Sequence, residues 1–308
     1  MQPSRVLHYL DRSQVEYAFD ASHAPRLTVE APCEIMIETH NSREGKLHKP
    51  EDEVTTRPNP NDRFPRSNPM TGPVGIAGAE PGDALAVEIL SIEVDPVGYV
   101  GVFPEVGIVR DVVNQRVVTM VPVKDGEVHF KDLRLPLRPM IGAMACAPLE
   151  PISVGLIGRH GGNMDNKRLA AGTTVHLPIF APLGLFYVGD VHAAMGDAEM
   201  CGSGVEIGAR VLLRFRLEKG AATDWPWLET QDRWITTASA PSFEEAAEFC
   251  TRSMIALLGR RLGLSPADAF GLMSIAADLR INQYCRAPKL GTSVRCEFPK
   301  LGAGITRA

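Results

Sequence analysis

Short runs of alternating apolar and polar residues, separated by glycine and proline, recur through the first half of this chain. The run at 33–41 (CEIMIETHN) alternates with a period of two, and the run at 84–90 (ALAVEIL) follows a Pro-Gly-Asp turn. A period of two places side chains on alternate faces of a strand. Similar runs lie at 98–104, 116–123 and 126–130. Many short strands with turn residues between them favour a sandwich or barrel over alternating strands and helices.

Helical patterns are confined to a region near the C-terminus. The first predicted helix begins after Ser242, which forms a Ser-x-x-Glu capping box, and ends at Gly263, a suitable left-handed residue. A second helix, 266–277, has proline at its first position. Runs at 278–283 and 292–298 then read as closing strands. The predicted fold is mainly β with a C-terminal α+β part: a β-sandwich or barrel-like core and two helices near the C-terminus.

The length of 308 residues allows one large domain or two medium domains. We predict an N-terminal β-rich domain over 1–150. Residues 151–308 are then expected to form a metal-site segment and a C-terminal α+β domain, intertwined with the first at their boundary. No internal repeat is visible.

Composition and charge exclude several classes of partner. The net charge is −5 and no basic block stands out, so a nucleic-acid partner is not expected. No apolar run approaches the roughly 20 residues that span a bilayer, and residues 1–20 carry charges where a signal peptide has an apolar stretch. The six cysteines include no C-x-x-C pair, which indicates free thiols rather than a zinc finger. We therefore expect a cytoplasmic protein with no membrane partner.

The segment 158–206 concentrates the residues that can carry chemistry. It is rich in glycine, which lets the backbone approach a ligand closely. It also holds three of the eight histidines and five carboxylates: His160, His176, His192, Asp165, Asp190, Asp197, Glu199 and Glu206. Charged groups of this kind pack poorly as plain core, because a buried charge needs a partner or a metal. We interpret this segment as the active site.

Asp190 and His192 are the first candidate metal ligands. On a strand, side chains two residues apart point to the same face, about 7 Å apart along it. Oxygen and nitrogen donors of this kind suit zinc, although a plain buried ion pair has the same pattern. Glu206 and Asp165 are further candidates, and Asp165 is alternatively a group that orients a ligand or binds a second ion. His160 either completes the set or hydrogen-bonds the substrate.

These residues lie in longer strings that resemble the acetamidase/formamidase family of metal-dependent amide hydrolases. The central strings are HGGNMD at 160–165, LPIF at 177–180 and VGDVHAAMGDAEMCGSGVE at 188–206. Further matching strings cover 68–89, 139–148 and 265–283. The resemblance covers nearly the whole length. It implies a β-rich fold, a bound divalent metal such as zinc with room for a second ion such as calcium, hydrolysis of short amides to a carboxylic acid and ammonia, and a homo-oligomer.

One position departs from the family pattern. Asn41 stands where the family usually has an aspartate, which removes a formal charge from a position expected to face the metal. The loop that follows, 42–69, is long, polar and charged. We place Asn41, His160, Gly161 and Asn163 among the substrate-binding residues. A larger or differently charged amide is therefore an alternative substrate.

Amide hydrolysis needs an activated water, a stabilised oxyanion and an acid for the leaving nitrogen. We predict that Glu199 is the general base and acid and that Asp197 supports it, the alternative being a solvated acidic turn. Backbone N–H groups at 161–162 or 202–204 are candidate oxyanion donors. Cys201 is a possible nucleophile, but no histidine pairs with it in any sequence pattern.

The leading hypothesis is a metal-dependent amidase that acts on a small amide of the formamide or acetamide type. Two alternatives remain at this point. The first is a metal-dependent hydrolase of another C–N or ester bond, in a lactam, a cyclic imide or a larger amide. The second is a small-molecule-binding relative without catalysis.

Overall fold

The computed structural model describes residues 7–52, 63–285, 291–303 and 305–306. Positions 53–62 of the predicted loop at 42–69 lie outside the described residues, as do the first six residues. The first eleven strands are β1 (Leu7–Leu10), β2 (Ala18–Phe19), β3 (Leu27–Val29), β4 (Cys33–Thr39), β5 (Met70–Ile76), β6 (Ala84–Val94), β7 (Val97–Val102), β8 (Val117–Lys124), β9 (Glu127–Phe130), β10 (Leu133–Pro136) and β11 (Met140–Cys146). The remaining elements are β12 (Ile152–Ser153), β13 (Ile157–Gly158), β14 (Gly161–Asn163), β15 (Thr174–Pro178), β16 (Phe186–His192), β17 (Ala209–Glu218), β18 (Trp227–Glu229), β19 (Arg233–Ala240), α1 (Phe243–Leu262), α2 (Pro266–Ala276), β20 (Asp278–Gln283) and β21 (Thr292–Pro299).

The strands form two large sheets and two small ones. The largest sheet has nine strands in the order β1-β4-β17-β6-β15-β18-β19-β21-β20, and the second has six in the order β13-β14-β11-β16-β5-β3. A four-stranded sheet, β10-β9-β8-β7, and the pair β12-β2 complete the set. Strands from both sides of residue 150 share the nine-stranded sheet, where β17 lies between β4 and β6. The division into two domains stays a prediction.

The two large sheets enclose one apolar core. Strand β4 is buried at alternate positions, so Cys33, Ile35 and Ile37 point inward. They share a core with Ile141 of β11 and Val188 of β16, which belong to the other sheet. Burying one such aliphatic side chain contributes roughly 1.5–3 kcal/mol. The predicted β-rich, sandwich-like class is confirmed.

Strands β11 and β16 differ from β4 because every residue in them is buried. A strand covered on both faces is expected to be apolar throughout. The sequence of β16, FYVGDVH, obeys this rule up to its last three residues, where Asp190 and His192 are buried as well. The sheet therefore delivers a carboxylate and an imidazole into the interior, where they need compensation.

Both predicted helices are present. The Ser242 side chain accepts from the N–H of Glu245, and Gly263 ends α1 in the left-handed conformation with φ of 73°. Helix α2 has Ser265 as its N-cap and proline in its first turn. Helix α1 packs against β19 and β21, and α2 packs against α1 and β21. They cover a second apolar core that includes Trp227 and Trp234. Within the described residues, no helix is both long enough and apolar enough to cross a membrane.

Candidate active site

Strand β16 places the carboxylate of Asp190 and the imidazole of His192 on one side. Oδ1 of Asp190 lies 3.8 Å from Nε2 of His192. The neighbouring strand β11 contributes Gly142, and a methyl group there would lie 2.7 Å from Oδ1 of Asp165 and 2.9 Å from Oδ2 of Asp190. The absence of a side chain at Gly142 is therefore what lets the two carboxylates approach.

Glu206 reaches the same point from a different part of the chain. Its backbone exchanges two hydrogen bonds with Tyr99 at the end of the four-stranded sheet, of 2.8 and 3.0 Å. Its side chain then lies with Oε1 3.3 Å from Nε2 of His192. Oε2 of Glu206 is buried and has no hydrogen-bond partner in the described part of the chain.

Asp165 follows β14 and is fixed by its neighbours. Its backbone N–H donates to the carbonyl of Gly142 at 3.0 Å. Its Oδ2 accepts from the amides of Asn163 and Gln283, and its Oδ1 lies 3.9 Å from Nδ1 of His192. Both amide donors therefore fix the orientation of this carboxylate.

Glu199 lies in a turn held by the end of β20. The N–H of Ala198 donates to the carbonyl of Asn282 at 2.9 Å, and the N–H of Tyr284 donates back to Ala198 at 3.0 Å. The side-chain amide of Gln283 donates to Oε2 of Glu199 at 2.7 Å. The turn and the carboxylate are thus both oriented by residues 282–284.

Three of these carboxylates stand on strained backbone. The φ angles are 40° at Asp165, 57° at Asp190 and 45° at Glu199. Residues other than glycine rarely adopt positive φ, and each such residue costs on the order of 1–3 kcal/mol. Strain of this kind persists where the surroundings impose it, most often at functional sites. Here it coincides with the groups that converge.

The convergence fits a divalent metal ion. Ligand atoms of Asp165, Asp190 and His192 lie within 4.8 Å of one another, and so do those of His192, Glu199 and Glu206. All five residues are buried. Four buried carboxylates repel one another unless a cation offsets their charge. Carboxylate oxygens and an imidazole nitrogen are ligand types that zinc takes, so the residues present suit the divalent metal that the family resemblance implies.

The titration of the histidine and Glu206 reflects the same crowding. Burial alone would lower the pKa of His192, but Glu206, Asp190 and Asp165 beside it raise that pKa well above its usual value. Burial would raise the pKa of Glu206, yet His192, Ser42 and Arg43 lower it. The cluster therefore favours a positive charge at its centre, which a metal ion supplies equally well.

A cavity of about 620 Å³ opens onto this cluster. The phenol of Tyr99 lies on its wall, 2.6 Å from the hydroxyl of Ser42. Burial, and secondly the charge of Glu206, raises the pKa of Tyr99, so the phenol keeps its proton and can donate. The full lining is Ser42, Arg43, Ser67, Asn68, Tyr99, Phe103, Glu105, Val106, Arg110, Asp165, Asp190, Glu199, Gly202, Ser203, Glu206 and Cys285.

Asp197 lies outside this lining, in an ion-pair network. Its carboxylate accepts from Nη1 and Nη2 of Arg295 at 2.8 and 3.0 Å, and Lys167 approaches it at 2.9 Å. Burial opposes ionisation of Asp197, but these two cations lower its pKa. The network anchors the turn that carries Glu199, two residues away.

The residues predicted to bind substrate occupy different places. His160 is buried against the ring of Phe19 at 5.3 Å, and burial lowers its pKa to about 4. Gly161 pairs with Ala145 inside the sheet. The side chain of Asn163 links Asn68 to Asp165. None of these three predicted residues is part of the cavity lining.

Asn41 shapes the loop beside the cavity. Its side-chain oxygen accepts the N–H groups of Arg43 at 3.0 Å and Gly45 at 2.9 Å. An aspartate would accept the same two bonds, so the exchange changes the charge of the turn while keeping its shape. The turn carries Ser42 and Arg43 onto the cavity wall.

Cys201 contacts two backbone carbonyls, and burial raises the pKa of its thiol. A protonated thiol is a poor nucleophile. The structure gives the cysteine mechanism no support.

Several residues of the site were not recognised in the sequence. Gln283, Tyr99 and Arg43 contact or line the cluster, and Arg295 anchors the adjacent turn. Gln283 carried a usable signal, because it ends a predicted strand within one of the matching strings. The others carried none, because they meet the segment 158–206 only through the tertiary fold.

The chain is similar to known proteins over most of its length. The model of the Acetamidase/Formamidase family matches residues 24–156 and 154–297. The acetamidase structure of Bacillus halodurans is 34% identical with a TM-score of 0.87, covering 94% of this chain and 97% of that one. A predicted acetamidase/formamidase from Thermoanaerobacter tengcongensis is 33% identical with a TM-score of 0.89, covering 96% of each chain.

The curated relatives match a smaller part of this chain. The formamidase of Methylophilus methylotrophus is 24% identical over 202 residues, which are 44% of this chain and 48% of that protein. The chain spans about half the length of the curated relatives it matches.

Proposed function

Because the chain belongs to the acetamidase/formamidase family, we propose that it hydrolyses a carboxamide to a carboxylic acid and ammonia with the help of a divalent metal ion. The observation that carries this proposal is the buried cluster of four carboxylates and one imidazole at the wall of a cavity. The names of the similar proteins support the same reaction class.

Asp190, His192, Glu206 and Asp165 are the residues that we assign to hold the metal. Each offers an oxygen or nitrogen atom in the buried cluster. When bound, a divalent ion polarises a carbonyl group and acidifies water. Zinc suits this donor set. A second ion such as calcium would use carboxylate oxygens of the same cluster.

Glu199 is the residue that we assign to proton transfer. It faces the cavity and is held by the amide of Gln283 at 2.7 Å. A carboxylate in that position takes a proton from the attacking water and returns it to the nitrogen that leaves. Asp197 supports the turn electrostatically from outside the cavity.

Stabilisation of the oxyanion falls to donors on the cavity wall. The protonated phenol of Tyr99 is one, since it lines the cavity and hydrogen-bonds Ser42. Gly202 also lines the cavity, although its own N–H donates to the backbone carbonyl of Glu199 at 2.8 Å. A preorganised donor of this type typically contributes about 10²–10³ in rate.

The test is ammonia release from formamide, acetamide and longer amides by the purified protein. We expect activity with zinc present, loss on treatment with a chelator and recovery when zinc is returned. Metal content measured on the same samples separates an amidase from a small-molecule-binding protein. No ammonia from any amide by fully metal-loaded protein would contradict the proposal.

We further propose a cytoplasmic location and a homo-oligomer. None of the six cysteines, all of which lie in the described part of the chain, forms a disulfide bond, as expected in a reducing compartment. Cell fractionation tests the location and light scattering tests the oligomeric state, both independently of activity.

A further inference from the structure

The cavity is much larger than the smallest amides require. Acetamide has four non-hydrogen atoms and occupies on the order of 100 Å³, judged from about 30 Å³ for each water molecule in the liquid. The cavity measures about 620 Å³, which lies in the range of sites for considerably larger ligands. Part of its wall is therefore free to recognise a group other than the carboxamide.

That wall carries arginine side chains beside apolar surface. Arg43 and Arg110 line the cavity, together with Glu105, Phe103 and Val106. The guanidinium of Arg43 lies 5.7 Å from the centre of the Phe103 ring, a cation–π distance that restrains it. Arg43 and Phe103 are both only partly exposed, so the charge lies at the wall and not in open solvent.

Arg43 is also available for binding. The described residues include no carboxylate in an ion pair with it; its backbone is held by Asn41 instead. A planar guanidinium matches a carboxylate through two parallel hydrogen bonds, which are stronger than neutral ones. The apolar surface of Phe103 and Val106 suits a short aliphatic chain between two polar ends.

We propose that the substrate is the monoamide of a short dicarboxylic acid, with its carboxamide at the acidic cluster and its free carboxylate on Arg43. This inference rests on the proposed amidase function and narrows its substrate class. The competing explanation is that Arg43 only balances the charge of Glu206. That explanation predicts no preference between charged and neutral substrates.

Matched substrate pairs test the inference. Succinamate and glutaramate are compared with butanamide and pentanamide, in which a methyl group replaces the carboxylate. With zinc-loaded protein we expect kcat/KM to be about 10–100-fold higher for the better anionic amide than for its neutral partner, the value of a charge-assisted hydrogen-bonded pair. Equal or lower values for the anionic amides would overturn the inference while leaving the amidase proposal intact.

A variant of Arg43 tests whether the preference for anionic amides depends on this residue. In Arg43→Gln the ratio of kcat/KM between each anionic amide and its neutral partner should fall to near one. Arg210→Gln is the control, because Arg210 lies on the surface of β17 in an ion pair with Glu93, and it should keep the wild-type ratio. If Arg43→Gln lowers kcat/KM equally for both substrates and so keeps their ratio, Arg43 only balances charge and the inference is wrong.

A binding measurement separates this inference from the reaction itself. Calorimetry compares glutarate with pentanoate, which share one carboxylate and differ in the second. Tighter binding of glutarate that is lost in Arg43→Gln supports an anion site even if no amide is hydrolysed. Equal binding of the two acids counts against it whatever the turnover.

Discussion

The network around Arg295 allows a quantitative prediction. Arg295 is fully buried, and its guanidinium donates to Asp197, to Asn282 and to Glu297, the last at 2.6 Å. Replacing it with methionine keeps much of the volume but leaves two carboxylates without their central partner. Removing one member of a buried ion pair costs about 3–5 kcal/mol.

The structure places Arg295→Met toward the lower end of that range. Glu297 keeps its bonds from Arg168, and Asp197 keeps Lys167, both from partly exposed side chains. We therefore expect a loss of about 3 kcal/mol in the free energy of unfolding. Because Asp197 anchors the turn of Glu199, turnover should also fall under conditions where the variant is folded.

Urea unfolding measures the first effect, and ammonia release measures the second. Arg210→Met provides the matched control, since its ion pair with Glu93 has more than half of each side chain exposed. That variant should lose no more than about 1 kcal/mol. If Arg295→Met is no less stable than Arg210→Met and equally active, the buried network does not hold the turn and the reasoning is refuted.

Three further predictions concern residues around the cluster. Gln283→Leu removes the amide donor to Glu199 and Asp165, so activity or metal affinity should fall about 10–100-fold; wild-type kinetics and metal content would show that this orientation is unimportant. Gly142→Ala places a methyl group against the carboxylates of Asp165 and Asp190 and should weaken metal binding, measured by titration with zinc; unchanged affinity would contradict the packing argument. Burial lowers the pKa of His160 to about 4, below the usual value of about 6.5. As the pH falls, the unfolded chain therefore binds the proton before the folded protein does. The contribution of the neutral His160 to the free energy of unfolding is complete above pH 6.5 and is lost as the pH falls toward 4. Over this pH range the free energy of unfolding of His160→Gln should therefore fall by about 3 kcal/mol less than that of wild type, as measured by urea unfolding. An identical pH dependence in both proteins would contradict the assignment.

Local patterns in the sequence predicted both helices and several of the strands. The alternation at 33–41 and the caps at Ser242 and Gly263 correspond to β4 and α1, because period and capping act over a few residues. The order of the strands had no such signal. The parallel pairing of β1 with β4 and the place of β17 between β4 and β6 depend on contacts between distant segments.

The residues of the candidate site divide in the same way, into those that the sequence predicted and those that only the fold shows. Asp190, His192 and Glu206 were predicted as ligands because one glycine-rich segment carries them and strand geometry places the first two on one face, and the structure brings all three to one cluster. Gln283 and Arg295 act on that segment from about a hundred residues away. Only the tertiary structure shows that the first orients Glu199 and that the second holds Asp197.

The contrast between two substitutions tests the metal-dependent mechanism most directly. Zinc content and ammonia release are measured side by side for wild type, Glu199→Gln and His192→Ala. Glu199→Gln keeps the size of the side chain but not its proton transfer. It should retain zinc near the wild-type level while turnover falls about 10²–10⁴-fold. His192→Ala should lose zinc and activity together, because a ligand is missing. A Glu199→Gln protein without zinc would make Glu199 a ligand, and one with zinc and full activity would contradict the account.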